Sequence, residues 1–373
     1  MVTIKKPKGI LILTPFFAPN IGGVETHLTD LVNQLNQSKI DSYVLTYSPL
    51  TTSAKAPIFE NLGRSKIIRL PWIGRNLFHH LENFPLFDFI YLTPYLFIAS
   101  FIWLLKNRQK ISTIHSHGFN SAFIGNTLSR IFQINHVVST HAIYENINGL
   151  SRKITVQTLN QCQAILCLSS GSLNQLASWG VHKNRLHLFH YWLNLKQFSP
   201  SITSPKTFTI LYSGRLIAKK GIKLLVKVAS YFPSLKFIFV GNGPLAQYLT
   251  IAQINHKNIL FLGSSNYNDQ PNIYRQASIL CIPSLYTEGF GRSAMEAVAS
   301  GLPVIGSNIG SIGEAVDKTV SILIKPTINN IKKSIKTLYI DKSKFKKMKQ
   351  SCRPYALKHY SSANFTEILK FYR

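Results

Sequence analysis

In this 373-residue chain the side chains best spaced for chemistry are two glutamates: Pro283-Ser-Leu-Tyr-Thr-Glu288-Gly289-Phe290-Gly291-Arg292-Ser-Ala-Met-Glu296-Ala. Seven residues separate the two carboxylates, the first in a loop and the second in a helix of small residues (Ala294, Ala297, Ala299) closed by Gly301-Leu302-Pro303. A carboxylate accepts two hydrogen bonds from vicinal hydroxyls, which suits a sugar or a ribose. Gly289-Phe290-Gly291 offers backbone N–H groups at a helix start, where an anionic or hydroxyl-rich ligand is welcome. A plainer reading stands beside this one: Arg292 and Glu296 form an i,i+4 pair, and Glu288 favours the positive helix end. For either glutamate alone the plainer reading is the stronger.

A second stretch is Tyr212-Ser-Gly214-Arg215-Leu-Ile-Ala-Lys219-Lys220-Gly221, between a strand and a helix expected over Ile222–Tyr231. Two lysines before a helix N-terminus face the wrong end of its dipole, at roughly a few tenths of a kcal/mol each; a bound diphosphate reverses that sign. The alternative is a solvated turn. A third is Pro19-Asn20-Ile21-Gly22-Gly23-Val24-Glu25. Its two glycines allow close approach of a ligand to the backbone at a helix start, though any α/β protein has such a turn. His141, in Ser139-Thr140-His141-Ala142-Ile143-Tyr144, ends a strand, where a lone histidine is more often structural. In Ile114-His115-Ser116-His117-Gly118, His117 reads as a cleft residue and His115 as structural. Val240-Gly241-Asn242-Gly243-Pro244 makes Asn242 a further, weaker candidate.

These residues need strand ends to hold them, and short apolar runs bounded by Gly or Pro alternate with helical patterns throughout, the mark of a parallel α/β sheet. Strands are expected at 10–15, 42–47, 66–70, 112–115, 136–140 and 164–169, then at 207–213, 236–240, 258–262, 278–283 and 303–306. Val24, Leu28, Leu31, Val32 and Leu35 recur at helical spacing over Val24–Asn36. The βα rhythm restarts after Asn194–Lys206, where Pro200, Pro205 and several Ser and Thr residues mark a junction. Two domains follow, 1–195 and 206–350, with a C-terminal helix over about 355–373 packing back on the first.

Taken together, the glutamate stretch resembles the donor-site signature of glycosyltransferase family 4 (glycosyl transferases group 1), and the likeness runs from Gly9 to about Val316. It implies the GT-B fold: two Rossmann-like domains whose parallel sheets face each other across a cleft. It also implies a retaining transferase of the hexosyltransferase type, without a metal ion or other cofactor, using a nucleotide-sugar donor such as a UDP- or GDP-sugar. In that family Glu296 corresponds to the residue that holds the ribose, and Glu288 to the one facing the transferred sugar, beside the Gly289-Phe290-Gly291 amides. Arg215 and Lys220 correspond to diphosphate ligands, Gly22-Gly23 to a loop near donor phosphate or acceptor, and His141 to a donor-sugar contact. One departure is local: Tyr191 and Asn194 flank Trp192 where relatives often carry Asn and Asp. A nucleotide-sugar epimerase, a phosphorylase or a non-catalytic scaffold on the same fold are the rivals; the phosphorylase lacks its pyridoxal lysine context.

Bulk properties narrow the setting. The net charge is +28, and from Lys325 to Arg373 13 Lys or Arg oppose only Asp341 and Glu367. Such a field attracts polyanions; no nucleic-acid motif accompanies it, so an anionic membrane surface is the expected partner and nucleic acid is not. The scattered Cys162, Cys167, Cys281 and Cys352 form no metal or disulfide pattern and fit a reducing cytosol. The apolar run after Lys5-Lys6-Pro7-Lys8-Gly9 reads as a buried first strand, not a leader. Phe84 to Leu105 has 22 residues and one charge, Asp88, but Pro85 and Pro94 are expected to break it. The remaining Tyr95–Leu105 reaches only about 16 Å, too short to cross a bilayer. Flanked by Arg64, Lys66, Arg69, Arg75, Lys106, Arg108 and Lys110, this helix suits a membrane interface as well as a core. The expectation is a cytoplasmic enzyme, peripheral on the inner face of the plasma membrane, acting on a saccharide or lipid-linked acceptor in cell-envelope glycan or glycolipid synthesis.

Overall fold

The computed structural model describes residues 8–74, 77, 81, 84–141, 149–203 and 205–372. The chain forms two compact units, residues 1–192 with 363–373 and residues 193–362. The expected return of 355–373 is thus confined to 363–373, and the helix Lys342–His359 stays in unit 2. There the Tyr360 hydroxyl donates to the Ala315 carbonyl. The returning segment is tied to unit 1 by Tyr372, whose hydroxyl is 2.7 Å from His115 Nδ1.

Unit 1 is an eight-stranded sheet of β1 (Gly9–Leu13), β2 (Asp41–Tyr47), β3 (Phe59–Leu62), β4 (Ser65–Leu70), β5 (Thr113–His117), β6 (Asn135–Thr140), β7 (Ala164–Cys167) and β8 (Leu186–Leu188). Their order is β3-β4-β2-β1-β5-β6-β7-β8, parallel except for the β3–β4 pair. Helices on the sheet faces make β1 a wholly buried strand, which explains its unbroken apolar run. Unit 2 carries β9 (Thr209–Ser213), β10 (Lys236–Val240), β11 (Ile259–Phe261), β12 (Ile279–Ile282), β13 (Val304–Ser307) and β14 (Ser321–Ile324), in the order β11-β10-β9-β12-β13-β14, all parallel.

In each sheet the order reverses beside the first strand of the unit: between β1 and β5 in unit 1, and between β9 and β12 in unit 2. Loops leaving the C-terminal ends of two such strands run to opposite faces and open a crevice, the usual ligand position in open α/β sheets. The sequence motifs fall on these loops: Gly22-Gly23 after β1, Arg215–Lys220 after β9 and Ser284–Gly291 after β12.

The stretch expected to break at Pro94 does not. Helix Pro85–Leu92 continues through Thr93, whose amide donates to Phe89 O, into helix Pro94–Asn107, whose Phe97 amide donates to Thr93 O. Each proline stands at a first helical position, where its missing N–H would have had no partner. The run Leu86–Lys110 is therefore long and apolar enough to cross a membrane by length and composition. Its packing is one-sided. Leu92, Leu96, Ser100 and Leu104 are buried, and the Tyr47 hydroxyl donates to Leu92 O and accepts from Leu96 N. Leu86, Phe87, Ile90, Ile98, Ile102 and Leu105 are exposed.

Candidate active site

In unit 2 the loops after β9 and β12 are joined backbone to backbone. Leu285 N donates to Lys219 O at 2.7 Å. Gly221, at φ +72°, passes so close to Pro283 that a Cβ there would stand 2.0 Å from its carbonyl oxygen. Only glycine meets both demands. This contact brings Lys220 Nζ to 2.5 Å from Glu288 Oε1, in a pair with side chains 15% and 7% exposed. Ser284 Oγ donates to the same oxygen, and the Tyr286 hydroxyl lies 3.3 Å from Oε2. The Glu288 backbone is anchored on the loop after β13, its carbonyl accepting from Ser311 N at 3.0 Å. Burial first, then the Glu288 charge, push the Tyr212 hydroxyl well above its ordinary range.

Glu296 is buried in helix Arg292–Ala299, which begins after Gly291 at φ +85°. Its Oε1 is 3.1 Å from Arg292 Nε, the i,i+4 pair read from the sequence, and its Oε2 accepts from the Tyr274 hydroxyl at 2.9 Å. Arg292 Nη2 in turn donates to Tyr267 Oη at 3.0 Å. Phe290 is buried and Gly289 partly so. Arg215 is exposed, and among the described residues its hydrogen bonding is confined to its backbone carbonyl, which accepts from Tyr212 Oη at 2.7 Å. Asn242 is also exposed, and its side chain closes its own turn by accepting from Gly243 N at 2.8 Å.

In unit 1 the loop before helix Gly23–Gln37 is pinned from two sides. Asn20 Oδ1 accepts from Leu50 N and Thr51 N, and Arg69 Nη2 donates to Ala18 O at 2.8 Å. Among the described residues, chain neighbours and its own helical turn aside, no atom lies within 4 Å of where a Gly23 Cβ would stand. Among these residues, neither packing nor backbone conformation requires glycine there.

His141 is partly buried at the end of β6 with both ring nitrogens engaged: Nε2 is 2.9 Å from His117 Nδ1, and Nδ1 is 2.7 Å from the Tyr191 hydroxyl. The neighbouring Ala142, Ile143 and Tyr144 lie outside the described residues. His117 is 2% exposed, so it sits beneath the surface instead of lining a cleft. His115 is structural, with Tyr372 Oη on Nδ1 and Ser139 Oγ 2.8 Å from Nε2. His27 stacks on Tyr191 at 4.3 Å between ring centroids. Burial holds His115 and His117 well below the usual imidazole range and lowers His136 and His141 to about 3, so the cluster is neutral.

The structure thus brings together Lys220 and Glu288, and His141 with Tyr191. Sequence reasoning does not single out Ser284, Tyr274, Tyr267 or His27, and it marks Tyr191 only as a departure in the segment after β8. No sequence signal ties Tyr274 to Glu296, because their contact depends on how the helix Gln270–Arg275 packs.

Two family models cover most of the chain: "Glycosyltransferase Family 4" matches residues 21–197 and "Glycosyl transferases group 1" residues 196–359. A phosphatidylinositol N-acetylglucosaminyltransferase subunit from Homo sapiens is similar at 24% identity over 336 residues, spanning 86% of this chain and 66% of that protein. Among solved structures, the sucrose-phosphate synthase of Thermosynechococcus elongatus superposes with a TM-score of 0.80 at 19% identity, covering 99% of this chain and 98% of that one. Anabaena HepE in complex with UDP-glucose gives a TM-score of 0.75 at 17% identity, covering 97% and 98%. At these identities the structural likeness speaks for the fold, which is GT-B.

Proposed function

The chain belongs to glycosyltransferase family 4 and is a glycosyltransferase, and from that premise we propose that it is a retaining enzyme using a nucleotide-sugar donor. The observation that carries this reading is the Lys220–Glu288 pair at the β9/β12 crevice. Lys220 is a cation placed for a diphosphate, while Glu288 and Glu296 offer acceptors for sugar and ribose hydroxyls. In the reaction, the bond from the anomeric carbon to the diphosphate breaks and the new glycosidic bond forms on the same face. The acceptor hydroxyl passes its proton to the departing phosphate oxygen. Arg215, Lys220 and the amides of Gly289, Phe290 and Gly291 offset the charge that grows on the leaving group. Gly22-Gly23 leaves space for phosphate or acceptor, and His141, braced by His117 and Tyr191, orients the sugar. Asn242 shapes the turn that supports Leu216 beside Arg215. The chemistry needs no metal ion or other cofactor.

The acceptor we propose is a saccharide or lipid-linked glycan at the inner face of the plasma membrane. Two facts support that setting: the human relative is named for a phosphatidylinositol substrate, and the helical run from Pro85 to Asn107 exposes an apolar face ending in Lys106. Apolar side chains with basic residues at the rim suit an anionic interface.

A panel of UDP-, GDP- and ADP-sugars tests the donor assignment by thermal unfolding. A true donor at a hundredfold excess over Kd adds about 2.7 kcal/mol. Proton NMR of the product, or of slowly hydrolysed donor, should then show the donor's anomeric configuration kept. Inversion would remove the retaining mechanism, and no stabilisation by any member would remove the donor assignment.

A further inference from the structure

The last two long helices of unit 2, Ile328–Ile340 and Lys342–His359, carry ten Lys or Arg residues among themselves against one acid, Asp341. That acid is already occupied, capping the second helix by accepting from Lys344 N at 2.8 Å. Arg353 also turns inward, donating to the carbonyls of Phe198 and Leu195. What remains is lysine. Lys333, Lys336, Lys342, Lys344, Lys346 and Lys347 are exposed, and among the described residues none of them has a carboxylate at ion-pair distance. Several stand in like-charged i,i+3 or i,i+4 register, Lys342 with Lys346 and Lys344 with Lys347, an arrangement that disfavours the helix. Folding alone gives no return for it. A surface that brings negative charge does.

We propose that this lysine face is a docking surface for an anionic phospholipid bilayer, separate from the apolar face on unit 1. Its chemistry favours lipid over nucleic acid. Non-specific binding of single strands uses aromatic faces on which bases stack, and here the exposed rings of Tyr231 and Tyr339 each already have a lysine ammonium over them. Lys332 Nζ lies 3.6 Å from the Tyr231 ring centroid, and Lys342 Nζ 4.6 Å from that of Tyr339. In the midst of the lysines stands Ile340, 61% exposed, at the end of its helix. An exposed apolar side chain flanked along the chain by Lys336 and Lys342 fits a headgroup layer, where each basic side chain raises partitioning about fivefold. The inference does not depend on sugar transfer and stands even if that reading fails.

The test is co-sedimentation of the full chain with phosphatidylcholine vesicles, with and without phosphatidylserine, at low and high salt. The comparison is between wild type, K342Q/K344Q/K346Q/K347Q, the matching arginine variant, and F87S/I90S on unit 1. Wild type should bind serine-containing vesicles more tightly, and added salt should weaken the binding. The glutamine variant should lose roughly a hundredfold or more in partitioning while melting at or slightly above the wild-type temperature, and the arginine variant should keep binding. F87S/I90S should retain the salt-dependent part. Two results would overturn the proposal: equal binding by the glutamine variant and wild type, or a loss in that variant of single-stranded RNA binding with vesicle binding unchanged.

Discussion

Around the C-terminal ends of its central strands, unit 1 buries neutral imidazoles and phenols, whereas unit 2 buries ion pairs. His117 is hydrogen-bonded to His141 and His141 to Tyr191, while His115 is held by Ser139 and Tyr372. Lys220–Glu288 and Arg292–Glu296 do the corresponding work on the other sheet. The two solutions differ in what they leave for a ligand. A neutral network is paired mostly within itself, His117 Nε2 excepted among the described residues, and serves as a rigid support. A buried ion pair gives little net stability, because desolvation offsets the attraction, so its retention at a crevice suits a site where an anionic ligand completes the charge balance. On this comparison the proposed role of binding the charged part of a substrate falls to unit 2.

The largest expected effect separates two cations of unit 2. Lys220→Ala leaves the buried Glu288 carboxylate without its cation, which costs about 3 kcal/mol of stability, the low end of the range for broken buried pairs because Lys220 retains some exposure. Arg215→Ala removes no side-chain hydrogen bond or ion pair among the described residues and should melt within about 0.5 kcal/mol of wild type. Turnover should nevertheless fall by about 100-fold or more, the usual loss for one charge-stabilising group. Chemical denaturation with kcat measured on the same preparations checks both. Equal destabilisation by the two variants would erase the distinction between a paired and a waiting cation.

Acid should strike unit 1 first. Its buried histidines are neutral when folded, with His136 and His141 at about 3, but titrate near 6.5 once unfolded. The unfolded state therefore binds more protons below about pH 6.5, and stability falls with pH from there down to the folded values, by up to about 1.4 kcal/mol per pH unit for each such histidine. Unit 2 has only His256 and His359, neither of them buried. All four tryptophans lie in unit 1, so their emission reports that unit alone. Emission should change, and unit 1 peptides should lose hydrogen-exchange protection, at a higher pH than unit 2 peptides. Simultaneous loss in both units would mean that buried histidine does not set the acid limit.

Gly23→Ala is the smallest change and the sharpest probe of unit 1. With open space at the Cβ position, stability should move by no more than about 0.5 kcal/mol. If the space belongs to phosphate or acceptor, KM or kcat should still suffer. Wild-type kinetics in this variant would leave the glycine loop without a ligand.

Much of this was legible in the sequence, for a physical reason. Strands buried on both faces, such as β1, β9 and β10, appear as short, mainly apolar runs with a glycine at one end. The edge strands were not legible: β3 alternates exposed with half-buried residues and β8 has three residues. The glutamate and lysine motifs stood out by type and order, yet the Lys220–Glu288 contact spans 68 positions and arises only from the β9–β12 adjacency. The histidine cluster draws on Gly23–Gln37, β5, β6 and the segment after β8, so no local pattern announces it. Pro94 misled because a proline at a helix start looks the same in sequence as one that ends a helix.

The most direct test of a donor site on unit 2 is calorimetric titration of UDP, GDP and ADP into wild type and Glu296→Ala, with near-UV circular dichroism to confirm that the variant stays folded. One nucleotide should bind wild type, and the variant should bind it more weakly by about 1.5–3 kcal/mol, the range for a hydrogen bond to a charged group. A folded Glu296→Ala protein that binds the nucleotide as tightly as wild type would contradict the assignment of Glu296 to the ribose, and with it the donor site described on this unit.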